Sequence, residues 1–161
     1  MLSTERLLII GGLILLSIIV LSFNTNSLEQ TSNNLNNEAM ITGVSLGQSL
    51  LEEISSRAFD EKTVSTNASS PNDLTVPPNL GRESGEIIST QFDDIDDFHR
   101  FSRNDSLPRL GVFNLRSEVY YVNTNTPNTK SNVRTFNKRI DIKISNIYMA
   151  DTLTLHKILS Y

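Results

Sequence analysis

The sequence predicts an α+β fold, with a long N-terminal helix, membrane-spanning in its first part, packed on a small antiparallel β-sheet. Three observations predict it. Leu7 to Phe23 is an unbroken apolar run, LLIIGGLILLSIIVLSF. No proline occurs before Pro71, so no imino residue forces the helix to end with that run. The later part of the chain alternates, most clearly in Arg139-Ile140-Asp141-Ile142-Lys143-Ile144-Ser145, where three Ile share one face.

Residues 1–6 form an N-terminal flank and 7–23 the transmembrane helix. At 1.5 Å per residue the run spans roughly 25 Å, near the lower limit for a bilayer core. Positive charge stands before it at Arg6, and the next basic residue is Arg57. The N-terminus is therefore expected in the cytoplasm and the rest outside. A cleaved signal peptide is the rival, with Val20-Leu21-Ser22 as its cleavage site. Against it, the run is longer than the ~7–15 residues of a signal core. The basic region is also a single Arg beside Glu5.

Residues 24–62 read as an amphipathic continuation of the same helix. Leu28, Leu35, Ala39, Leu46, Leu50 and Ile54 recur at sevens and fours, one face of a helix. Asn33-Asn34-Leu35-Asn36-Asn37 is its weak point and a candidate kink or melted turn. Glu53 and Arg57 are spaced as an i, i+4 ion pair. Residues 63–85, with three of the five prolines, read as a linker loop. Residues 86–161 are the expected sheet domain. Its strands are Glu118–Val122, Arg139–Ser145 and Thr152–Lys157, with a loop at Thr124–Thr129. Short connections between them imply an antiparallel meander.

The net charge of −4 hides a split. Residues 1–99 carry 4 Lys/Arg and 14 Asp/Glu, giving −10; residues 100–161 carry 10 and 4, giving +6. The halves can attract each other, within a chain or between neighbours. The basic half is strand-like and has no Arg/Lys-rich helix, so nucleic-acid binding is not expected. With no Cys, disulfides, thiolate chemistry and Cys-ligated zinc are excluded.

The stretch Phe92-Asp93-Asp94-Ile95-Asp96-Asp97-Phe98-His99-Arg100-Phe101 is the one candidate for site chemistry. Asp93, Asp94, Asp96 and Asp97 offer the carboxylate oxygens that Ca²⁺ prefers, which makes Ca²⁺ the one candidate cofactor. They lack the alternating acids and following Gly of an EF-hand loop. The structural reading is favoured instead. Phe92, Ile95 and Phe98 recur every three residues, which suits tight helical turns packed on the sheet. The acids then face water or cap a short helix. His99 and His156 are the two histidines, far apart in the chain and without a recognisable nucleophile; no enzymatic activity is expected.

These segments resemble, in order and spacing, type IV pilins and type II secretion pseudopilins. The likeness is nearest to minor pilins of the mannose-sensitive-haemagglutinin type. Three stretches carry it: Ser49-Leu50-Leu51-Glu52-Glu53-Ile54-Ser55-Ser56-Arg57-Ala58-Phe59-Asp60-Glu61, the FDDIDDFHRF run, and Lys138–Ile144 with Leu153-Thr154-Leu155. The resemblance implies a structural, membrane-anchored subunit of a type IV pilus or a secretion-type filament. Its implied partners are other pilin-like subunits and an inner-membrane assembly platform. It would sit in the bacterial inner membrane with the sheet domain periplasmic, or in an extracellular filament. Glu5 stands where the family's mature helix carries a carboxylate that pairs with a neighbouring subunit's terminal amine. The given sequence opens at Met1 with no basic, Gly-ended leader, and Arg6 after Glu5 departs from the family's pattern. Two alternatives stay open at Glu5 and Arg6: an assembly contact, or a membrane-flanking pair in which Arg6 neutralises Glu5. The second belongs with a single-pass envelope scaffold or binding protein that does not polymerise.

Overall fold

Helix α1 runs unbroken from Thr4 to Ser55, in a computed structural model that describes residues 3–161. The Asn-rich turn is helical throughout. One long-range contact supports it there despite its poor propensity. Asn36 Nδ2 donates to Tyr148 O at 3.0 Å, tying that turn to the sheet domain.

The helix ends at Ser55 rather than at residue 62. Ser56 Oγ donates to Glu53 O at 2.7 Å at this end. The chain then turns out so that Ala58 pairs with Asp94, through Ala58 N to Asp93 O and Ile95 N to Ala58 O, both 3.0 Å. Glu53 bonds Arg103 at 3.1 Å instead of the expected Arg57.

A short helix α2 (Glu61–Ser65) and two 3₁₀ turns, Pro71–Asp73 and Pro77–Asn79, occupy the expected linker. This segment is packed rather than free. Leu74 and Leu80 are buried, and Arg134 Nη1 donates to Asn72 O and Leu74 O.

Five strands follow: β1 (Ser102–Leu107), β2 (Gly111–Asn123), β3 (Thr126–Lys130), β4 (Asn137–Ser145) and β5 (Leu153–Ser160). They form an antiparallel sheet in the order β1-β2-β4-β5, with β3 folding back on the end of β2. The expected strands lie in β2, β4 and β5. β1 was not expected, and β3 lies in the segment read as a loop. The α+β layout of one long helix on a small antiparallel sheet is as the sequence predicts.

The core lies between the last third of α1 and one sheet face. Ala39, Leu50 and Ile54 are buried in the same cluster as Leu115, Val119, Ile140, Ile142 and Ile144. Gly47 sets the closeness of that approach. A Cβ there would stand 2.7 Å from Leu155 Cδ1 and 2.8 Å from Ile144 Cδ1. The expected helix face therefore packs from Leu35 onward, whereas Leu28 is exposed.

Candidate functional site

Two features stand apart from ordinary packing: the acid-rich corner after α1, and the bare N-terminal part of α1.

At the corner, Phe92, Ile95 and Phe98 are buried as the three-residue spacing requires. The Phe92 and Phe98 rings meet edge to face at 4.9 Å. Asp96–Phe98 is a 3₁₀ turn. The four acids of this run go to different places. Asp93 is exposed. Asp94 is buried, and its Oδ1 accepts from the Asp97 N–H at 3.1 Å. Asp97 is buried too, and its Oδ2 accepts from the N–H groups of Asp93 and Asp94 at 3.1 and 3.3 Å. Asp96 is buried against Lys138, Nζ to Oδ1 at 2.6 Å. The expectation that these acids face water or cap a helix fails for Asp96 and Asp97. Asp96 is covered by Lys138 of β4, and Asp97 by the loop that carries Glu83 and Glu86.

Lys138 meets one of them. Ile140, Ile142 and Ile144 share its strand parity, so Lys138 falls on the core face of β4 and is fully buried. Its ammonium has three donors. They go to Asp96 Oδ1, to Asp60 Oδ2 at 2.8 Å and to Phe59 O at 2.7 Å. The rings of Phe59 and Tyr121 flank the charge, 4.7 and 5.1 Å from their centroids. One cation here faces two carboxylates, and hydrogen bonds decide how they share it. Asp60 accepts from Thr75 N, Thr75 Oγ1, Lys62 N and the Tyr121 hydroxyl. Burial alone would raise its pKa; Lys138 and these donors bring it to about 2. Asp96 Oδ2 has no donor, and burial pushes that carboxyl well up against the pull of Lys138. The cluster therefore ties three segments together, with every Lys138 proton committed.

Asp97 faces away from Lys138. One oxygen each from Asp97, Glu83 and Glu86 lie within 4.8 Å of one another. The candidate Ca²⁺ ligands Asp93, Asp94, Asp96 and Asp97 do not converge as a set, since Asp93 points to solvent and Asp96 to Lys138.

His99 is half-buried, with Nδ1 2.6 Å from Val119 O. Burial lowers its pKa. It makes no pair with the neighbouring acids. His156 is exposed on β5.

The second feature is the helix itself. From Ser3 to Asn34 every residue is exposed. The apolar window has mean hydropathy 2.6 and no residue buried within the chain, so the helix is long and apolar enough to cross a membrane. Glu5 and Arg6 both stand exposed on its first turn. Successive helix positions point apart, and among the described residues no ion pair joins them. Gly11 and Gly12 leave an open side, with nothing within 4 Å of either Cβ position.

Neither Lys138 nor Glu83 and Glu86 stood out in sequence. The parity of Lys138 with the three Ile was a usable signal. For Glu83 and Glu86 there was none, because they reach Asp97 through a loop. Comparisons with protein-family models, with curated proteins and with solved structures give no match.

Proposed function

We propose that this chain is a non-enzymatic, membrane-anchored, pilin-like subunit. Its first helical segment sits in the inner membrane or in a filament core, and its sheet domain lies on the periplasmic or outer side. The observation that carries this reading is the continuity of α1. Thr4 to Asn34 spans about 45 Å, longer than the ~30 Å core of a bilayer. It then enters the sheet domain without a hinge. A simple tether needs a span and a flexible linker. A rigid span fixed to its head suits subunits stacked side by side through their helices.

The resemblance of the three quoted stretches supports the same reading. So does the charge split, since the acidic first part and the basic sheet already pair within the chain at Glu53–Arg103 and Glu38–Arg109. Glu5 takes the role of the buried carboxylate that needs a cationic partner in an apolar surrounding, supplied by a neighbouring subunit or the assembly platform. One observation favours the second reading, a scaffold that never polymerises: Arg6, next to Glu5 in sequence, is a second charge that an apolar filament core would have to accommodate.

The test is fractionation of cells that make the protein. The chain is expected in sheared surface filaments, and Glu5→Ala is expected to move it to the membrane fraction. Wild-type chain confined to the membrane fraction would leave the scaffold reading standing and remove the filament.

A further inference from the structure

We infer that Glu83, Glu86 and Asp97 form a binding site for a hard divalent cation of the Ca²⁺ type. Their three converging oxygens lie within 4.8 Å of one another. A cation with Ca–O distances of 2.3–2.6 Å places opposed ligands about 5 Å apart, so the three oxygens lie within the span that one ion can bridge.

A separate observation points to a ligand. Asp97 is fully buried, and its Oδ1 has no hydrogen-bond donor. Glu83 Oε2 is likewise shielded and without a donor. Buried acceptors are ordinarily satisfied, and here two of the three converging carboxyls carry an oxygen without a donor. No salt bridge reaches Glu83, Glu86 or Asp97 among the described residues. Lys138 has spent all three donors elsewhere, and Arg82 lies over the Phe92 ring at 5.9 Å.

The backbone holds the ligands in place. Glu83 and Glu86 are braced in a turn, with Glu83 N donating to Glu86 Oε2 and Glu86 N to Glu83 O. Asp97 is fixed by the two N–H groups it accepts. Glu83 and Glu86 are half-exposed, which leaves room for water to complete the coordination. An all-carboxylate set carried partly on a loop suits Ca²⁺ better than Mg²⁺, which demands near-ideal octahedral geometry. It suits zinc less, because zinc sites are built around His nitrogen or Cys sulfur with carboxylate oxygen as an added ligand.

Electrostatics agree with this geometry. Burial, with the neighbouring carboxyls, pushes Asp97 up to about 8 and Glu83 up to about 7. Near neutral pH the cluster therefore takes up protons or a cation. The cation would clamp the turn at Glu83–Glu86 onto the acid-rich corner.

The test uses the full chain in detergent, melted in EDTA, in CaCl₂ and in MgCl₂. With Ca²⁺ at about a hundred times its Kd, the melting temperature is expected to rise by roughly 5 °C or more. Glu83→Gln/Glu86→Gln is expected to abolish that rise while melting in EDTA no lower than wild type. No rise in wild type, or the same rise in the variant, would overturn the site. A pH series on wild type keeps the test decisive if the variant fails to fold. The titrating groups are Glu83, Asp94 and Asp97, and the carboxyls of Glu61 and Glu86 flank them. In EDTA the melting temperature is expected to fall as pH rises from about 5 to about 8, because raised carboxyls release protons more readily on unfolding. Ca²⁺ is expected to flatten that fall. An equal fall with and without Ca²⁺ would show a proton-sharing cluster and overturn the proposal.

Discussion

From Leu35 to Ile54, α1 turns one stripe toward its own sheet; from Thr4 to Asn34 it turns nothing toward the rest of the chain. The two parts differ in pattern as well as in surroundings. In the packed part, apolar and small residues recur at helical spacing: Ala39, Gly43, Gly47, Leu50 and Ile54. In the bare part, Leu7–Phe23 is apolar all round. A stripe is what a helix needs against one partner, and an all-round apolar surface is what it needs inside an apolar medium or among several helices. The difference separates the residues that hold the domain together from those that the rest of the chain leaves bare.

Substitutions can break this comparison. The largest effect on stability is expected just below the packed part, at Lys138. Lys138→Ala leaves Asp60 and Asp96 buried without their cation, and losing one partner of a buried ion pair costs about 3–5 kcal/mol. Urea denaturation of the full chain in detergent measures it; a loss below ~1 kcal/mol would show that the cluster carries no structural weight.

Next comes Leu50→Ala, a fully buried side chain, expected to cost about 3 kcal/mol by the same assay. Leu16→Ala, the same chemical change in the bare part, is expected to stay within ~0.5 kcal/mol. Similar losses at both positions would remove the distinction between the two parts.

Acid should act on the same corner, with a somewhat smaller effect. Asp60 has a folded pKa of about 2, below its ordinary 3.8. Its contribution is present above the unfolded value and is lost as pH falls through the folded one, worth roughly 2 kcal/mol. Melting between about pH 5 and pH 2 checks this against Asp60→Asn, which should lack that component of the acid sensitivity.

Gly47→Leu drives a side chain into Leu155 and Ile144, and overpacking of this kind is expected to cost about 1–3 kcal/mol. The smallest effect on the sheet domain is expected from Ile14→Lys. It should leave the unfolding midpoint unchanged and weaken membrane partitioning by about 3 kcal/mol, read by flotation with vesicles.

Much of this was legible in the residues. The apolar run, the strict alternation at Ile140, Ile142 and Ile144, and the spacing of Phe92, Ile95 and Phe98 each describe one element and its buried face. β1 was not legible because Ser102-Arg103-Asn104-Asp105-Ser106-Leu107 has no apolar alternation. It is an edge strand held by its register on β2, and none of its residues is fully buried. β3 hides behind Pro127, which edge strands tolerate. The fate of the four acids was not legible either. Whether an Asp beside a core Phe faces water or a lysine depends on what the sheet brings over it, and Lys138 arrives from forty-two positions away. Glu83 and Glu86 meet Asp97 only through the loop's tertiary path.

The central claim is that the bare part of α1 is covered by the helices of other subunits as well as by lipid. A photoreactive residue at Ile14, exposed on that surface, tests it most directly in cells that make the full chain. Irradiation is expected to yield protein adducts, joining this chain to a second copy or to another subunit with an apolar N-terminal helix. Adducts to lipid alone, at full expression and with surface filaments present, would contradict the claim.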